Sequence, residues 1–124
     1  YSICHVSVKT IDNINIFNAS ILAMNRAIKN LKVIPEFILV DGKFFKSSLK
    51  IPHQCFIKGD STYLSIAAAS ILAKTSRDNY MIRLSKKFPT YNWQQNKGYP
   101  TKEHKNAIKS NGITIHHRKS FKMD

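Results

Sequence analysis

An α/β fold is predicted for this 124-residue chain by three observations. Phe37, Ile38, Leu39 and Val40 form an unbroken apolar run that stops at Asp41-Gly42. Such a run suits a strand covered on both faces, as in a parallel sheet flanked by helices. Cys55, Phe56 and Ile57 form a second short run, and it stops at Lys58-Gly59-Asp60. Two long stretches, near 13–31 and 62–87, carry apolar residues at three- and four-residue steps, the mark of amphipathic helices.

Taken in order, the chain opens with Cys4, Val6 and Val8 alternating with His5, Ser7 and Lys9, which predicts a half-buried strand. Asp12 or Asn13 then offers an N-cap, and Ile14, Phe17, Ile21, Met24, Ile28 and Leu31 predict one buried helical stripe. Pro35 closes the connection to the first apolar strand, and a basic loop with Lys43, Lys46 and Lys50 leads through Pro52 to the second. In the long helix predicted over 62–87, Leu64, Ala67, Ala68, Ile71 and Leu72 share a face that Tyr80, Met81, Leu84 and Phe88 continue. The small residues Ala67, Ala68, Ala69 and Ser70 are expected to pack closely behind the strand ends. Pro89 ends the helix, because it cannot donate to the ladder.

The stretch 91–100 is aromatic and reads as irregular. Thr101 can cap a short helix to about Ser110, with Gly112 as its stop. The tail His116, His117, Arg118, Lys119, Ser120, Phe121 and Lys122 is basic and is not expected to be helical. One domain over 1–124 is predicted, its sheet part in 1–61 and its helical, basic part in 62–124.

Charge is the strongest bulk feature: 20 Lys and Arg against 7 Asp and Glu leave a formal +13. A polyanion, most often nucleic acid, is the natural partner of such a chain. No apolar run approaches a membrane span, and no signal peptide is visible. Cys4 and Cys55 suit free thiols in a reducing, cytoplasmic setting better than a disulfide scaffold.

Both apolar strands end in an aspartate. Ligands of α/β sheets sit beyond the carboxyl ends of the strands, so parallel neighbours would turn Asp41 and Asp60 toward one spot. Two close carboxylates repel unless one holds its proton, and a divalent cation such as Mg²⁺ or Mn²⁺ removes the conflict. Plainer roles remain open at this point: Asp41-Gly42 is a common turn dipeptide, and Asp60 can cap the following helix. Asp78, beside Arg77, reads as a surface ion pair or a support for neighbouring basic groups. Cys4, His5, His53 and Cys55 have zinc chemistry without zinc spacing, and Ser70 lies inside a helix rather than on a nucleophile turn. Lys86, Lys87, Tyr91, Trp93, Lys97, Tyr99, Lys102, Arg118 and Lys119 gather cations with aromatic rings, as nucleic-acid surfaces do. Trp93 is expected to belong to the core.

FILVDG at 37–42, IKGDS at 57–61, IAAASILAKTSRD at 66–78, NKGYPTKEH at 96–104 and HHRKSF at 116–121 together resemble the type 2 ribonucleases H, the ribonuclease HII family. The resemblance is colinear over essentially the whole chain. It implies an RNase H-like mixed sheet flanked by helices with a C-terminal helical segment. It also implies an endonuclease that cuts RNA joined to DNA, with four carboxylates around two divalent ions. Asp41 and Asp60 map onto two of those carboxylates and are the expected catalytic and metal-binding residues. Tyr99 maps onto the tyrosine that meets the sugar and phosphate at the ribonucleotide junction and helps to read the 2′-OH. Lys58, Arg118 and Ser120 fall in motifs expected to touch the nucleic acid.

This sequence departs from the family pattern in three places. Lys43 follows VDG where Asn is usual, and Asn96 stands where His is common. No Asp-Glu pair occurs anywhere in the 124 residues, whereas the family opens with a strand reading Asp-Glu-x-Gly-Arg-Gly. The resemblance therefore implies a C-terminal portion lacking its first strands, inactive by itself, or a remnant that no longer cuts. The expected partner is an RNA–DNA hybrid or a DNA duplex containing ribonucleotides. No membrane association is expected, and the full-length protein is expected to be monomeric. A non-enzymatic basic RNA- or DNA-binding protein is the rival reading.

Overall fold

A computed structural model describes residues 1–121, so Lys122 of the basic tail lies outside the described residues. The α/β class holds: four α-helices accompany a two-stranded parallel sheet among the described residues. Two compact units are present, Tyr1–Ala73 and the chain from Lys74 onward, and the division falls inside a helix.

In the first unit, residues 1–7 are irregular rather than a strand. Ser7 explains the difference, because its hydroxyl accepts the Thr10 amide at 3.2 Å and starts α1 (Val8–Lys29) there. The cap expected at Asp12 or Asn13 lies slightly later. Asn15 leaves helical geometry at φ 65°, and its side chain accepts the Asn18 amide at 3.0 Å, so one helical segment ends and a second begins within α1. The predicted stripe is only half-buried, and its Phe17 is 53% exposed. Ile11, Ala19 and Asn25 are the buried residues instead. Met24, Ile28 and Leu31 face an open apolar groove of about 410 Å³ shared with Ala69, Leu72 and Ala73.

Asn25 shows what the buried side of α1 packs on. Its side-chain nitrogen donates to the carbonyls of Ile21 (3.0 Å) and Lys46 (2.9 Å), and its oxygen accepts the Ser48 amide at 2.6 Å. A helix residue thereby grips the loop 42–52, which connects β1 (Ile38–Asp41) to β2 (His53–Phe56) without a helix of its own.

β1 and β2 pair in parallel, with Val40 opposite Cys55 and Asp41 opposite Phe56. Full burial on both faces does not follow: within β1 only Val40 is buried, and Phe37 lies outside the strand. β1 has one strand neighbour among the described residues. β2 stops before Ile57, which is 68% exposed.

A 3₁₀ turn, Gly59–Ser61, precedes α2 (Leu64–Lys87). The face expected to be buried at the start of α2 is open: Leu64 is 86% exposed, and Ile71 and Leu72 are exposed too. Ala68, Ala69 and Ser70 are exposed as well, so the close support expected from the small run comes from Ile66. Periodicity identifies an apolar face but not what covers it. No helix among the described residues is long and apolar enough to cross a membrane.

The second unit is built on aromatic packing. Leu84, Tyr91 and Trp93 form its buried cluster, with Met81, Phe88, Ala107 and Ile108 against them. The stretch expected to be irregular contains a 3₁₀ turn, Pro89–Tyr91, and a one-turn helix α3 (Trp93–Asn96). α4 (Lys102–Asn111) follows, capped by Thr101, whose hydroxyl accepts the His104 amide at 3.2 Å, and it stops at Gly112 as predicted. Residues 112–121 carry no helix.

Candidate functional site

The backbone brings Asp41 close to Gly59, the residue that precedes Asp60. Parallel pairing carries Asp41 and Phe56 to the same level, and the Gly42 amide continues the ladder to the Phe56 carbonyl at 2.8 Å. Lys58 then takes a left-handed conformation (φ 55°, ψ 41°), which costs a side-chain-bearing residue about 1 kcal/mol or more. That turn aims the Gly59 amide back at β1, where it donates to Asp41 Oδ1 at 2.9 Å. Asp60 is the next residue. Gly59 is buried, and a Cβ there would stand 2.7 Å from Ile66 Cδ1 and 3.2 Å from Phe56 Cβ. The close approach of the two aspartate-bearing segments thus depends on a residue without a side chain.

Both aspartates are exposed, as is Lys58. Two exposed carboxylates, one ending β1 and one in the 3₁₀ turn after β2, are hard oxygen donors of the kind that a divalent cation of the Mg²⁺ class takes. Among the described residues no cluster of three or more His, Cys, Asp or Glu forms. Asp78 lies elsewhere, one helical turn from Lys74 and 2.7 Å from its ammonium. Their hydrogen bond holds the Asp78 carboxyl below the usual range and the Lys74 ammonium above it. It is the ion pair the sequence predicts, formed with Lys74.

Tyr99, Arg118 and Ser120 belong to the second unit. The Tyr99 ring is 58% exposed, with the Arg77 guanidinium 5.2 Å from its centroid. Among the described residues, Arg77 Nη1 is a buried nitrogen without a hydrogen-bond partner. Left-handed Lys97 and Gly98 (φ 83°) lead into Tyr99, and buried Asn96 braces the turn by donating to the Tyr91 carbonyl (2.8 Å) and accepting the Gly98 amide (2.8 Å). Arg118 sits over the Phe121 ring at 4.8 Å, and Ser120 is exposed. Trp93 is 1% exposed, stacked on Tyr91 at 5.1 Å, and belongs to the core as predicted.

The Tyr99 turn and the 114–121 segment are anchored on one buried pair of imidazoles. His104 Nδ1 lies 2.9 Å from the Tyr99 carbonyl, and His104 Nε2 lies 3.0 Å from Trp93 Nε1 and 3.3 Å from His117 Nε2. His117 Nδ1 accepts the Thr114 amide at 2.9 Å. Burial depresses the His117 pKa, and neighbouring His104 and His116 add to the effect. Sequence reasoning singled out neither histidine, nor Gly59, nor Asn25. Signals existed for two of them: Asn25 interrupts an apolar helix, and His104 lies three residues after a capping threonine in a strongly polar helix.

A family model described as ribonuclease HII matches residues 1–124. A ribonuclease HII from Christiangramia forsetii is 62% identical over 123 residues, covering 99% of this chain and 62% of that protein. Ribonucleases HII from Bacteroides fragilis and Parabacteroides distasonis are each 58% identical over 118 residues, covering 95% of this chain and 59% of theirs. The chain thus spans about three-fifths of the length of these relatives. It belongs to the ribonuclease HII family.

Proposed function

We propose that the full-length protein is a cytoplasmic, monomeric endoribonuclease. It cleaves the RNA strand of RNA–DNA hybrids and cuts at ribonucleotides embedded in duplex DNA, leaving 5′-phosphate and 3′-hydroxyl ends. The observation that carries this reading is the Gly59 amide on Asp41 Oδ1, a hydrogen bond that ties the backbone next to Asp60 to the Asp41 carboxylate. Asp41 and Asp60 would hold divalent cations (Mg²⁺ or Mn²⁺), whose chemistry would be to activate a water and stabilise the leaving oxygen.

This chain's own residues position the substrate. The Gly59 hydrogen bond fixes the Asp41 carboxylate, so no reorganisation is needed when the phosphodiester arrives. Lys58, beside the carboxylates in sequence, offers a cation to the phosphate, while Arg118 and Ser120 hold the nucleic-acid backbone. Such contacts orient a duplex without reading its sequence. Tyr99 meets the sugar, and discrimination rests on the 2′-OH and on helix shape.

Asp41→Asn and Asp60→Asn, made in the full-length protein, test the reading on a DNA duplex with one embedded ribonucleotide. Each is expected to lower Mg²⁺-dependent cleavage more than about 100-fold, since even an outer partner of a metal ligand is worth roughly 10–100-fold. Duplex affinity should be retained or tightened. A parent protein that binds tightly and never cuts would favour the basic binding protein implied by the +13 charge.

A further inference from the structure

We propose that His104 is a positioning residue for Tyr99: its Nδ1–H fixes the Tyr99 carbonyl and thereby sets the exposed ring that meets the substrate. The assignment rests on the proposed role of Tyr99. The hydrogen bonds determine where each proton sits. Trp93 Nε1 can only donate, so His104 Nε2 accepts from it at 3.0 Å. A carbonyl can only accept, so His104 carries its proton on Nδ1 and donates to Tyr99 at 2.9 Å. The Thr114 amide can only donate, so His117 Nδ1 accepts, and the His117 proton lies on Nε2, facing His104 Nε2 at 3.3 Å. The hydrogen bonds thus give each imidazole one tautomer.

The result is an exposed ring on a fully restrained backbone. The Tyr99 amide donates to the Asn96 carbonyl at 2.8 Å, and the Tyr99 carbonyl accepts from both the Thr101 amide at 2.8 Å and His104. His104 is 4% exposed and His117 6% exposed, so this network is shielded from water. A core that needed only apolar filling would have no use for a proton aimed at the backbone of an exposed residue. His117 ties the same imidazole to the segment that carries Arg118 and Ser120.

Two substitutions separate positioning from packing. In His104→Asn the side-chain amide nitrogen falls near the Nδ1 position, keeping the donor to Tyr99 and losing the acceptor for Trp93. In His104→Gln the side-chain oxygen falls near Nε2, keeping the acceptor and losing the donor. KM for the single-ribonucleotide duplex and the thermal midpoint are measured in the full-length protein, and KM does not depend on the folded fraction. We expect Gln to raise KM about tenfold while holding the midpoint, and Asn to recover most of the KM at a lower midpoint, because a small displacement of a substrate contact is costly. In a Tyr99→Ala background, Gln should raise KM no further. KM that follows the midpoint, with Gln better than Asn, overturns the proposal. A Gln effect that adds in full to Tyr99→Ala overturns it while leaving the role of Tyr99 intact. A Tyr99→Ala protein with unchanged KM and kcat overturns both.

Discussion

The two ends of this chain present functional groups in opposite ways. Around Asp41 and Asp60 the side chains are exposed, and their placement depends on backbone: a parallel register, a left-handed Lys58 and a glycine amide on a carboxylate oxygen. Around Tyr99 the turn is set from behind by a buried network of Trp93, His104 and His117 side chains. The contrast teaches that rigidity at a surface site has two sources. In one, a small residue lets two segments approach; in the other, large polar rings fill the space beneath a loop.

Trp93→Ala is the harshest way to break the comparison. It removes a ring that is 1% exposed, stacks on Tyr91 and supplies a hydrogen bond to His104. A loss of about 3–5 kcal/mol is expected in urea unfolding, with the second unit losing structure first.

Gly59→Ala should act the other way round. Ile66 Cδ1 is the end of a flexible side chain and can move, so the stability cost is expected to be about 1–2 kcal/mol. Phe56 Cβ, 3.2 Å from the added methyl, must give by a few tenths of an ångström as well, and this is expected to disturb the Gly59 bond to Asp41. Cleavage is expected to fall about tenfold or more while the unfolding midpoint changes little. Activity that survives intact would show that the Asp41–Gly59 hydrogen bond is dispensable.

Acid gives the mildest test and reaches the second region. The His117 pKa is depressed below its ordinary 6.5 by burial, with His104 and His116 contributing. As pH falls, the unfolded chain therefore takes up this proton before the folded one. The associated stability is fully present above about pH 6.5 and is lost as pH drops from there toward the folded value. Thermal midpoints at pH 7.5 and 5.5 should differ in that direction, and His117→Asn should flatten the difference.

What the sequence reveals divides along the same line. Asp41 is legible as a strand end because an apolar run that stops at a carboxylate is a local pattern, and the parallel pairing inferred with it is present, whereas Asp60 lies in the 3₁₀ turn beyond β2. Thr101 and Gly112 are legible because caps are local too. The start of α1 at Ser7 and its break at Asn15 are not legible, because several polar residues compete there and only the backbone decides among them. His104 and His117 are 13 residues apart, and nothing in either neighbourhood announces that their rings meet. Leu64 and Ile71 show the remaining limit, since spacing defines an apolar face without supplying its cover.

Asn25 has a consequence for how the β1–β2 end of the first unit assembles. Parallel strands joined by a helix gain local structure before they pair, whereas the 42–52 connection has none and is held by a side chain 21–23 residues away. Loop closure costs entropy before any contact compensates for it. The strand pair that brings Asp41 beside Gly59 is thus expected to form only once α1 is in place. The Ser48 amide, donated to Asn25, should then exchange its hydrogen in step with the amides of α1 rather than with those of a surface loop.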